Sequence, residues 1–92
     1  MKIYRLSEVP DANRRRILGH YMLLGDAQDA GEQRQWGKGI VAGCRLDWFN
    51  APGPLRRWSL HVYAPGVNEP DVTDYLITEI DVIESARTED QP

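Results

Sequence analysis

The chain has 92 residues, 14 acids against 11 lysines and arginines, one cysteine, and 41% apolar content. That length fits one domain and excludes a second independent core, while the apolar share excludes a disordered chain. No apolar run reaches the roughly 18–20 residues of a membrane span; the first residues lack the apolar stretch of a secretory signal, and a lone cysteine closes no internal disulfide, so a cytoplasmic protein is expected.

In chain order, residues 2–6 read as a short first strand. Ser7-Glu8-Val9-Pro10 then reads as a helix entry, because Pro is tolerated in a first turn and Ser7 or Asp11 can cap. Ile17, Leu18, Tyr21, Met22 and Leu24 follow at helical spacing, covering about 160° of a helix surface. A helix is therefore expected over 10–25. Residues 26–39 are polar and punctuated by glycine; their first part can extend the helix, and Gly37-Lys38-Gly39 ends it.

Residues 40–49 fit a helical spacing through Trp36, Ile40, Cys44 and Trp48, and an alternation through Ile40, Ala42, Cys44, Leu46 and Trp48. The next segment decides for a strand. Asn50-Ala51-Pro52-Gly53-Pro54 is a turn signal, and beyond it Trp58, Leu60, Val62 and Ala64 alternate with Arg57, Ser59, His61 and Tyr63. Two alternating runs about a Pro-Gly turn make a β-hairpin, with strands over 40–49 and 56–64. Residues 74–84 are β-branched and form a last strand; 85–92 read as a polar tail. The expected architecture is a single α+β domain over 1–84, one helix packed on a three- or four-stranded antiparallel sheet.

Helix and sheet together assign faces. Ala42, Cys44, Leu46, Trp48, Trp58, Leu60, Val62, Leu76, Ile80 and Val82 are expected under the helix. Arg45, Asp47, Phe49, Arg57, His61, Tyr63, Tyr75, Ile77, Glu79, Asp81 and Ile83 then lie on the open face. The apolar members of that face point to a covering protein. Trp36, in the Gly-rich loop, adds an anchor of the residue type enriched at interfaces. The expected interface is thus Trp36, Arg45, Phe49, Arg57, Tyr63, Tyr75, Glu79 and Asp81.

Charge divides along the chain. Residues 1–66 hold ten bases against six acids, and residues 67–92 hold eight acids against Arg87 alone, so a +4 segment precedes a −7 segment. Arg45 and Arg57 are expected opposite Glu79 and Asp81 across the sheet. No catalytic or cofactor signature stands out. His20, His61 and Cys44 have no zinc spacing, Cys44 reads as a buried inert thiol, and no cofactor is expected. The leading function is a small accessory module that occupies a partner protein's surface and self-associates through an uncovered sheet edge, as in a homodimer. A small-ligand or catalytic site built on His61 with Tyr63, Asp47 and Asp81 is the second reading. Nucleic-acid binding through Arg15 and Arg16 is the third, disfavoured by the acidic balance.

Overall fold

In the computed structural model, which describes residues 1–39 and 43–82, five strands and one helix alternate as β1 (Lys2–Asp11), β2 (Arg14–Tyr21), α1 (Leu24–Trp36), β3 (Arg45–Ala51), β4 (Arg57–Tyr63) and β5 (Asp71–Asp81). The sheet runs β2-β1-β5-β4-β3, with every neighbouring pair antiparallel. The α+β class holds, and so does the two-layer packing of helix on sheet. The sheet has five strands rather than three or four. No helix is long and apolar enough to cross a membrane among the described residues. Ile40 to Ala42 of the expected 40–49 strand, Ile83, and the expected tail 85–92 lie outside the described residues.

The expected helix over 10–25 is a correction. Residues 14–21 form β2, and the helix begins at Leu24. The register of β1 against β2 explains the error. Leu6 faces Gly19 and Ser7 faces Ile17, so Leu18 is an extra, bulged residue. The bulge resets the alternation, and Leu18 and Tyr21 both pack against the core although they lie three apart. Three apart is helical spacing, so a bulged strand imitated a helix. A second irregularity falls between Glu8 and Asp11 and accommodates Pro10, beyond the stretch of β1 that pairs with β5.

The true helix was hidden for the opposite reason. Its buried residues are Ala27 and Gly31, with Leu24 and Ala30 partly buried against the core. These recur at i, i+3, i+6 and i+7 but carry little apolar area. Alanine, glutamine, glutamate and arginine favour helix over this stretch, and Asp26 in the first turn and Arg34 in the last complement the helix dipole. The small stripe lets α1 settle close to the sheet.

The β3–β4 hairpin forms, but β3 starts at Arg45 rather than at 40, and Asn50 and Ala51, expected in the turn, pair with Trp58 and Arg57. Trp48 faces Leu60 and Leu46 faces Val62, with Gly53 at φ 140° in the turn between the strands. Trp58 and Leu60 are core, and Tyr4 meets Trp58 edge to face at 5.9 Å. The faces of β5 are the second correction. Leu6 sits opposite Ile77, and Ile77 opposite Trp58, so Ile77 belongs under the helix. Tyr75 is 3% exposed and Ile77 0%. Tyr75, Ile77, Glu79 and Asp81 therefore lie on the helix side, and Leu76, Thr78 and Ile80 on the open side, the reverse of the sequence expectation. Both faces of β5 are apolar, so periodicity did not distinguish them. The acids fit on the helix side because α1, about 20 Å long, is shorter than β5 at about 36 Å. Glu79 and Asp81 sit at the end of β5, where Lys2 reaches both, at 3.4 and 4.0 Å.

Candidate functional site

The face of the sheet opposite α1 carries no element of the described chain. Its composition follows from register, because residues directly opposite in antiparallel strands share a face. One row crosses all five strands: His20 opposite Arg5, Arg5 opposite Thr78, Thr78 opposite Arg57, Arg57 opposite Ala51. The adjacent row is Ile17, Ser7, Leu76, Ser59 and Phe49. Ile3 and Ile80 pair on the other side of the cationic row. Further along, His61 lies between Val72 and Asp47, and Arg45 lies opposite Tyr63.

Side-chain contacts give this face its chemistry. Arg5 Nε donates to His20 Nε2 at 3.2 Å. Arg57 Nε is buried with no hydrogen-bond partner among the described residues. Leaving such a donor unmet costs about 1–3 kcal/mol, and sites that await a ligand are among the places where that is tolerated. The Arg45 guanidinium lies over the Tyr63 ring at 4.4 Å, and Phe49 stacks on His61 at 5.4 Å and 14°. Asp47, the one carboxylate on the face among the described residues, accepts from the Trp48 amide at 3.0 Å. Among the described residues, none of Arg5, Arg45 and Arg57 forms an ion pair. Phe49 is 52% exposed and Val72 69%.

The acids have their partners elsewhere. Glu8 accepts from Arg16 at 2.6 Å and Lys38 at 3.3 Å. Burial pushes its carboxyl up, but the two cations outweigh that and hold it below the ordinary 4.5. Burial likewise works against charged Lys38, and hydrogen bonds to Tyr75 and Glu8 overcome it, so its ammonium is raised above 10.5. Arg14 binds Asp11 at 2.7 Å and, with the Asn13 amide, holds that carboxyl below 3.8. Glu79 is bound by Lys2 and by Arg56, at 3.4 and 3.5 Å.

Four of the eight expected interface residues thus come together: Arg45, Phe49, Arg57 and Tyr63 share the open face. The other four do not. Tyr75 is in the core beneath Lys38, 4.8 Å from the ring centre. Glu79 and Asp81 are on the helix side, so the expected pairing of Arg45 and Arg57 with them does not form. Trp36 ends α1, off the open face. Sequence reading missed Arg5, His20, Thr78 and Ile80. Extending the Ile3/Arg5/Ser7 alternation through β1 would have shown Arg5 on the face away from Leu6.

The alternative sites fare differently. His61 and Asp47 are cross-strand neighbours, but Asp81 lies on the other face. The three best-formed clefts among the described residues are open, and His61 lines none of these three. One, of about 380 Å³, lies between Gln35, Lys38, Cys44 and Asp71–Asp74, and another of the same volume lies between Arg45, Tyr63 and Pro65–Asn68. Arg16, expected free for phosphate, is bound to Glu8. No protein-family model, curated protein or solved structure matches the chain.

Proposed function

We propose that the chain is a small protein-interaction module that binds a partner across the open face of its sheet. The observation that carries this reading is the makeup of that face. A face meant for water is polar, whereas this one alternates arginines with Ile3, Ile17, Leu76, Ile80, Val72 and Phe49. Arginine and aromatic residues among aliphatic ones suit the centre of a protein interface. The two edges of the sheet are less inviting. Edge strand β2 opens with Arg14, Arg15 and Arg16, and on edge strand β3 the Trp48 amide is already taken by Asp47. Face contact is therefore favoured over edge pairing.

Affinity capture from cells that naturally make the chain tests this. A partner retained by the wild type should be lost by Phe49→Ser/Val72→Ser, which replaces two exposed apolar residues of the face, and kept by Trp36→Ser. Retention by the face variant, with loss by Trp36→Ser, would move the interface to the end of α1.

A further inference from the structure

We infer that the row Arg5–Thr78–Arg57 binds the side-chain carboxylates of an acidic, amphipathic segment of a partner protein; this rests on the open-face reading and specifies its chemistry. Three observations converge. Arg5 and Arg57 stand on strands β1 and β4 with Thr78 of β5 directly between them. Strand spacing puts their attachment points about 10 Å apart, so one partner element can engage both, with the Thr78 hydroxyl between. The Arg5 guanidinium is oriented from its inner side by the bond from its Nε to His20, and Arg57 Nε is buried with its donor unmet among the described residues. A planar fork held in this way suits bidentate pairing with carboxylates.

Charge complementarity gives the sign. Among the described residues, Arg5, Arg45 and Arg57 share the face with one carboxylate, Asp47, which accepts from the Trp48 amide. Among the described residues, the acids that do form ion pairs (Glu8, Asp11, Asp74, Glu79 and Asp81) form them with cations other than these three arginines. The face is thus cationic on a chain whose net charge is −3.

The surroundings distinguish a protein from a nucleic acid. Ile3 and Ile80 border the cationic row on one side, and Ile17 and Leu76 on the other. Aliphatic rows match the apolar face of a partner helix or strand and offer bases no stacking platform. Of the aromatic rings on the face, Phe49 is stacked on His61 and Tyr63 lies under the Arg45 guanidinium.

The test is fluorescence anisotropy at low ionic strength with the full chain. The probe is a labelled amphipathic peptide of Glu, Leu and Ala, about 16 residues and so roughly four helical turns. A labelled oligothymidylate of equal length is the second probe. The peptide should bind the wild type more tightly than the oligothymidylate does. Arg5→Gln/Arg57→Gln should weaken peptide binding about tenfold or more, and Arg34→Gln on α1 should leave it unchanged. Arg5→Lys/Arg57→Lys, which keeps both charges and side-chain stems, should also weaken it because the fork is lost; near-ultraviolet circular dichroism checks that the variants are folded. The inference is overturned if the wild type does not bind the peptide, if Arg34→Gln weakens it equally, or if the oligothymidylate binds more tightly. Loss of binding in Phe49→Ser/Val72→Ser with full binding in Arg5→Gln/Arg57→Gln would remove the cationic row and leave the open-face reading standing. Full binding in both would remove the two together.

Discussion

Gly31 sets how closely the helix lies on the sheet. A methyl group at this position would sit 2.9 Å from Cη2 and 3.1 Å from Cζ2 of Trp48, and 3.3 Å from Cδ1 of Leu6. Trp48 has little room to yield, because its indole Nε1 donates to Glu32 on the next residue of the helix at 2.8 Å. Gly31→Ala would gain about 1 kcal/mol of helix propensity and incur about 1–3 kcal/mol of overpacking. The variant should therefore lose roughly 1 kcal/mol in urea unfolding, with a change in tryptophan fluorescence as the indole leaves Glu32. An unchanged or raised midpoint would mean that Trp48 moves freely. One missing methyl thus couples the helix to β3, a strand with which it otherwise has little contact.

At the scale of elements, edge strand β3 illustrates how one carboxylate blunts a hydrogen-bonding edge. Asp47 occupies the Trp48 amide, so a second chain cannot pair there without displacing it. Asp47→Val should free the amide and add β propensity and apolar surface. Light scattering should then find a mass that grows with concentration for the variant and not for the wild type; equal masses would refute the blunted edge. How legible each element was depends on what shapes it. The β3–β4 hairpin was legible because Trp48, Trp58, Leu60 and Val62 alternate cleanly about a Pro-Gly turn. Strand β2 was not, because the Leu18 bulge placed Leu18 and Tyr21 at helical spacing. Helix α1 was not, because its buried stripe is alanine and glycine, which leave almost no hydrophobic signal. The faces of β5 were ambiguous because Leu76 and Ile80 on one side balance Tyr75 and Ile77 on the other. Burial chose between them through the pairing of Ile77 with Leu6 and Trp58, contacts distant in sequence that no local pattern encodes.

That single inversion of β5 reorganises the charge of the whole molecule. With Glu79 and Asp81 on the open face, Arg45 and Arg57 would have been neutralised internally. With those acids on the helix side, bound by Lys2 and Arg56, Arg45 and Arg57 form no ion pair among the described residues. The division of charge along the chain becomes a division across the sheet. Four of the eight residues expected together, Arg45, Phe49, Arg57 and Tyr63, share the open face; Glu79 and Asp81 lie on the helix side, Tyr75 is core, and Trp36 is exposed at the end of α1. What remains is more specific than before: a cationic row between two aliphatic ones, on a molecule that is acidic overall. The proposed attraction for an acidic partner should weaken with added salt, because Arg45 is exposed and Arg5 only partly buried, so ions in solution screen them.

The most direct measurement is a nuclear magnetic resonance titration of the isotopically labelled chain with the acidic amphipathic peptide, following each backbone amide. If the open face is the working surface, the shifts cluster on Arg5, Thr78, Arg57, Ser59 and Phe49 and leave the outer helix residues Asp26, Asp29 and Gln33 still. Shifts clustered on the outer helix, or on Arg15 at the start of β2, would contradict the account.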